Sequence, residues 1–198
     1  MYRAAALKAM RLGVSMDDHA ALGRVASLAA IELAGSGRGP VFLDGEDVTE
    51  AVRAPEVTEA SSTMSTVPAV RRAMVEEQRQ IGRSVDCVME GRDIGTVVFP
   101  DADLKIYLVA SLEERAKRRL SELEARGESV DLAAVAADIQ DRDRRDSTRT
   151  DSPLRKARDA IEVDTTDLSI EEQVERVLEL AIDRGAKVRS ADHETGGA

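Results

Sequence analysis

At 198 residues and 21.4 kDa the chain is long enough to bury one real core. A net charge of −10 argues against a general binder of nucleic acid or anionic membrane, since both require net attraction to phosphate. One cysteine, Cys87, rules out an internal disulfide and a Cys-rich metal site, and 2% aromatic residues without Trp argue against a base-stacking platform.

The N-terminus lacks the long apolar stretch of a signal peptide, and no run reaches the length that spans a bilayer; the expectation is a cytoplasmic protein. Tyr2–Leu12 is Ala- and Leu-rich and predicts a helix closed by Gly13. His19–Leu33 predicts a second helix, ending at the tract Gly35-Ser36-Gly37-Arg38-Gly39-Pro40. Val41–Thr49 reads as a hairpin turning around Gly45, and Thr58–Arg83 as a helical region interrupted at Pro68.

Val85–Met89 is a short apolar strand candidate leading into Glu90-Gly91-Arg92-Asp93-Ile94-Gly95-Thr96, with Cys87 as a small core residue inside it. Leu104–Val109 predicts a second strand that feeds Ser111, a plausible N-cap with Glu113 and Glu114 in the first turn. A long charged stretch runs to Arg158, Ala160–Val163 predicts a third strand, and Ser169–Arg184 predicts a closing amphipathic helix before a polar tail from Lys187. Strands alternating with helices imply a parallel α/β sheet, whose ligands bind at the carboxyl ends of the strands. Gly91–Thr96, Ser111 and Thr165 all follow predicted strand ends, so they are expected on one rim.

Three constellations carry possible chemistry. Gly91–Thr96 sets Arg92 and Asp93 between glycines, where a guanidinium fork can grip phosphate; an ordinary turn with a local ion pair is an equal alternative. On a helix, Arg142, Arg145 and Arg149 share one face with Asp146 beside them. Between Glu113 and Arg158 there are 12 basic and 11 acidic residues, so a salt-bridged, solvated helix is an alternative there. Arg115, Arg118 and Arg119 form a third cluster with the same two readings. His19 and His193 have no partners that suggest a metal site.

The order and wording of these pieces resemble the cytidylate kinase (CMP kinase) family of P-loop nucleoside monophosphate kinases. The shared landmarks are Tyr2-Arg3, Val52-Arg53-Ala54-Pro55, the ten residues Gly91–Pro100, the run Glu113–Arg119, Arg142-Asp143, Arg145-Asp146 and Arg149. The resemblance implies a P-loop NTPase-like parallel sheet flanked by helices, with a CMP-binding insert at about 40–80, a helical lid at about 113–158, one domain over 1–184 and a polar tail at 185–198. It implies phosphoryl transfer from ATP to CMP or dCMP with Mg²⁺, in a protein that is a monomer when complete. It assigns Ser62, Arg71 and Asp93 to the cytosine, with the Asp93 carboxylate accepting from the exocyclic amine. Arg3, Arg92 and Arg149 would hold the acceptor phosphate with Tyr2 beside them, and Arg142 and Asp146 would touch sugar and phosphate. Arg92, Arg142 and Arg149 would act in the transfer, while Arg115, Arg118 and Arg119 would close over the donor phosphates. An acceptor phosphate is already anionic near neutral pH, so positioning and charge neutralisation suffice without a general base.

One part of the family pattern is missing from the sequence. None of the 13 glycines is followed by lysine, so the phosphate-cradling G-x-x-x-x-G-K-S/T loop is not found. The tract Gly35–Pro40 fails it because Pro40 stands where the second glycine belongs. The expectation is a chain that lacks the family's first strand, its loop, the helix after it and the second strand, with Met1 an internal methionine. Such a chain is expected to be poorly stable or aggregation-prone, and inactive alone; a genuinely short, catalytically dead CMP-binding or interaction module is the alternative.

Overall fold

The computed structural model describes residues 1–34, 39–149 and 151–187. They fall into two compact units. One contains Met1–Gly91 with Arg149–Ser152, and the other contains Arg92–Thr148 with Pro153 onward.

In the first unit, α1 (Tyr2–Arg11) buries Ala4, Ala5, Ala6, Leu7 and Ala9. These small side chains let α2 (His19–Ser27) and α3 (Pro55–Met64) pack closely against it. The Asp18 carboxylate starts α2 by accepting from the Ala21 amide at 2.9 Å. The helix expected to reach Leu33 ends at Ser27, and Ile31–Leu33 is instead β1. The reason is tertiary: the Ala30 amide donates to the Asp44 carboxylate at 3.1 Å and the Asp44 amide donates to the Ala30 carbonyl at 2.8 Å. Ile31 then pairs with Leu43 in antiparallel β2 (Val41–Leu43), and this long-range ladder overrides local helix propensity. The expected hairpin forms between β2 and β3 (Glu46–Asp47). Asp44 and Gly45, at φ +51° and +83°, supply the two left-handed residues of its tight turn. Gly35–Arg38 lies outside the described residues.

The helical region expected from Thr58 is α3 and α4 (Pro68–Ser84), each with proline in its first turn, where the missing N–H costs nothing. Pro55 therefore starts α3 earlier than the apolar pattern suggested. Gly23 of α2 sits so close to α4 that a Cβ there would stand 2.6 Å from that of Ala69. The strand expected at Val85–Met89 does not form: Val88 is 98% exposed and Cys87 is exposed too, not in the core. A strand exists only as part of a ladder, and among the described residues none pairs with this run.

In the second unit, a π-type turn at Ile94–Val98 precedes β4 (Ile106–Val109), which runs parallel to β5 (Ile161–Asp164) with Tyr107 opposite Glu162. Around them come α5 (Leu112–Glu124), α6 (Leu132–Thr148) and α7 (Ile170–Asp183). Ser111 caps α5 by accepting from the Glu114 amide at 3.2 Å, and Ser169 with Glu172 forms a reciprocal capping box on α7. Helices around a parallel pair give the α/β class expected from the sequence. Apart from Lys187, the polar tail lies outside the described residues.

Candidate functional site

The site residues expected from the sequence are divided between the units. Tyr2, Arg3, Ser62, Arg71 and Arg149 belong to the first, while Arg92, Asp93, Arg115, Arg118, Arg119, Arg142 and Asp146 belong to the second.

In the first unit, Tyr2 and Arg3 open α1, and Arg3 donates to the Val52 carbonyl at 3.3 Å. This places the expected Tyr-Arg pair beside the second landmark, Val52–Pro55. Ser62 lies in the last turn of α3, and its carbonyl accepts from the Ser65 hydroxyl at 2.7 Å. Arg71, in the first turns of α4, is only 3% exposed and donates to the Ser65 carbonyl at 3.2 Å. A guanidinium is rarely buried so deeply without a polar purpose, and the α3–α4 corner holds it close to Ser62 in sequence and space. Arg149 departs from expectation: α6 ends at Thr148, so Arg149 does not continue the Arg142–Arg145 face. Its Nε donates to the Ser152 carbonyl at 2.6 Å. A turn closed by its own side chain replaced the last helical turn that a spacing argument assumed.

In the second unit, Arg92 and Arg142 do converge. Arg92 Nε lies 3.2 Å from Asp146 Oδ2 and Arg142 Nε lies 4.0 Å from the same oxygen. Asp146 is largely enclosed, with 14% of its side chain accessible. Partial burial is the main cause that lowers the Arg142 pKa from its ordinary value. Repulsion from Arg92, Arg145 and Arg119 adds to this, while Asp146 opposes it. Guanidinium groups remain charged at neutral pH, so Arg92 and Arg142 share the Asp146 carboxylate while Arg145 and Arg119 lie near enough to Arg142 to repel it. A guanidinium pair of this kind can also grip an anionic group with several oxygens.

Asp93 is buried beside this cluster in sequence, at the head of the π-type turn. The amides of Thr96, Val97 and Val98 all donate to its carbonyl, at 3.3, 2.9 and 3.2 Å, which fixes the backbone at the head of the turn. The three arginines of α5 are engaged differently from one another. Arg115 pairs with Asp143 of α6 at 2.7 Å, and Arg119 pairs with exposed Glu122 at 3.0 Å. Arg118 pairs with Glu114 at 3.0 Å and donates to the Thr165 carbonyl at 2.5 Å.

The rim expected from three strand ends is only partly assembled. The Thr165 amide donates to the Val109 carbonyl at 2.8 Å and the Ser111 amide to the Thr166 hydroxyl at 3.0 Å, so these loops meet at the carboxyl ends of β4 and β5. Gly95, in contrast, lies against Lys105 at the opposite end of β4. Lys105 itself was passed over in the sequence, where its one signal was a lysine inside an otherwise apolar run.

A family model described as Cytidylate kinase matches residues 1–183. The chain is 48% identical over 186 residues to the cytidylate kinase of Solibacter usitatus, which covers 93% of this chain and 79% of that protein. It is 49% identical over 180 residues to the cytidylate kinase of Pelotomaculum thermopropionicum, covering 90% of this chain and 80% of the relative. The cytidylate kinase of a Geobacillus species is 49% identical over 185 residues, covering 93% and 83%. With the arginine cluster, the buried Arg71 and Asp93 and a match along nearly its whole length, the chain belongs to the cytidylate kinase family.

Proposed function

We propose that the protein is a nucleoside monophosphate kinase that transfers a phosphoryl group from ATP to CMP, yielding CDP. The observation that carries this is the convergence of Arg92 and Arg142 on the enclosed carboxylate of Asp146. Two oriented guanidinium groups of this kind can neutralise phosphate oxygens as they arrive. Arg92, Arg142 and Arg149 hold and neutralise the acceptor phosphate and the transferred group, and Arg3 and Tyr2 are assigned to the same phosphate by the resemblance. Asp146 keeps Arg92 and Arg142 oriented and contacts the sugar.

Base recognition falls to Ser62, Arg71 and Asp93. The Asp93 side chain accepts from the exocyclic amine of cytosine, whereas uracil presents a carbonyl there and offers no donor. dCMP is the second acceptor that the resemblance to the family implies. Segment 40–80 forms the CMP-binding part and 113–158 the lid. In closing, Arg115, Arg118 and Arg119 exchange their present partners for donor-phosphate oxygens and exclude water. No nucleic acid or membrane partner enters this scheme, which suits the cytoplasm and a monomer. Among the described residues, no helix is long and apolar enough to cross a membrane.

Mg²⁺ belongs to the donor as MgATP. The described residues include no group of three or more His, Cys, Asp or Glu that could hold a metal ion, and no step is assigned to it. The lysine-bearing phosphate loop is likewise not among these residues, because no glycine precedes a lysine.

The test is a coupled assay with ATP and CMP, dCMP, UMP or AMP as acceptor, run beside calorimetric CMP binding. CDP formation with CMP preferred is the expected result. CMP binding without turnover would assign the chain a binding role, and equal use of all acceptors would remove the cytosine-reading role of Asp93. Arg92→Ala should slow transfer to every acceptor alike, since it touches phosphate and not base.

A further inference from the structure

Lys105 stands at the start of β4 with 7% of its side chain accessible, and no role in the scheme above requires it. Its ammonium donates to the Pro100 carbonyl and pairs with Asp159 at 2.7 Å. Its aliphatic stem lies along Gly95: a Cβ added there would stand 3.3 Å from Lys105 Cδ and 3.4 Å from Cγ. One side chain therefore grips the Ile94–Val98 turn near both of its ends. The turn is in turn hydrogen-bonded to the Asp93 carbonyl through three amides.

We infer that Lys105 is a positioning residue for the acceptor site, holding through the 94–100 turn the backbone that presents Arg92 and Asp93. This rests on the functional reading above. For stability alone, an apolar side chain of similar volume would serve as well as a buried ammonium, which loses hydration on burial. What an apolar side chain cannot do is donate to Pro100 while reaching Asp159 from the same atom. The Asp159 carboxylate is mostly exposed, so it supplies charge without a second desolvation cost. Gly95 is explained by the same arrangement, because a side chain there would push the lysine stem out of line.

Calorimetric binding of CMP and UMP to the full chain tests the inference, comparing wild type with Lys105→Met, Lys105→Arg and Gly95→Ala. Lys105→Met should weaken CMP binding about tenfold, in keeping with the cost of small misplacements, and should narrow the ratio of CMP to UMP affinity. Lys105→Arg, which keeps the charge, should recover most of both. Partial unfolding lowers both affinities by one factor, so a narrowed ratio is not what a merely structural role produces. An unchanged affinity and ratio in folded Lys105→Met would overturn the inference. If that variant does not fold, Gly95→Ala carries the test without altering any charge, and a wild-type ratio in it would overturn the inference instead. A wild-type chain that fails to bind CMP would overturn the functional reading and this inference together, whereas normal wild-type binding isolates the failure to Lys105.

Discussion

The two units of this protein are held together by different forces. The described buried apolar residues are concentrated in the first, from Ala4 to Met74, with Leu22, Met64 and Met74 fully enclosed. Among its described residues the second buries the apolar Val98, Ala116, Val135, Val163 and Leu180, and it also has helix caps, a parallel strand pair and ion pairs such as Arg115–Asp143 and Lys105–Asp159. Apolar burial contributes about 25 cal/mol per Å² wherever it occurs, whereas an exposed ion pair contributes roughly 0–1 kcal/mol. The first unit therefore sets stability, and the second supplies charges in geometries that a ligand can alter at low cost.

The largest test of that contrast is Leu22→Ala, which should cost about 2–5 kcal/mol because the cavity is closed on all sides. Leu180→Ala should fall at or below the low end of the same range, since its surroundings can collapse. Urea unfolding of both variants compares them directly; equal losses would break the distinction between the units.

Next comes Gly23→Ala, a single methyl that meets Ala69 Cβ at 2.6 Å. Forcing α2 and α4 apart should cost on the order of 1–3 kcal/mol and also disturb Arg71, two residues further along α4. A crystal structure of the variant with α4 unmoved would contradict this.

Acid should separate the units more gently. Hydrogen bonding to Lys105 holds the Asp159 carboxyl below its ordinary value, and the Thr166 hydroxyl does the same for Asp164. A carboxylate with a depressed folded pKa contributes stability that is fully present above its unfolded value of about 3.9 and is lost as pH falls through the folded value. Asp44 of the first unit behaves likewise through its bond to Lys8, but there a packed core remains when that bond is lost. Hydrogen exchange below pH 4 should thus show amides of β4, β5 and α5 opening before those of α1 and α4. Simultaneous opening would remove the asymmetry.

The smallest effect is expected of Asp143→Asn, which leaves Arg115 a neutral partner. A loss of about 1 kcal/mol is predicted for this partly buried pair, and adding salt should reduce the wild-type advantage.

Legibility in the sequence followed the range of the interactions concerned. The turn around Gly45, the Ser111 cap and the strands expected at Leu104–Val109 and Ala160–Val163 were readable, because neighbouring residues decide them, whereas the helix starts at Pro55 and Pro68 were not read as starts. The Gly91–Pro100 wording was enough to suggest the family, and the match over residues 1–183 agrees. Errors arose wherever a distant partner intervened. Ile31–Leu33 left its helix for the β2 ladder, and Val85–Met89 had the apolar composition of a strand but no ladder to join. Arg149 is a local exception: it donates to the Ser152 carbonyl three residues further on instead of extending α6.

By itself, then, the sequence determined the α/β class, most of the local elements and the resemblance to the family whose model matches. Only the tertiary structure decided which of the site residues share a carboxylate, that Arg71 and Asp93 are buried, and that Lys105 reaches Gly95, Pro100 and Asp159 at once. Spacing along a chain specifies contacts within a turn or two of helix, whereas charge pairing and burial depend on residues brought from 54 positions away, as Asp146 and Asp159 are to Arg92 and Lys105.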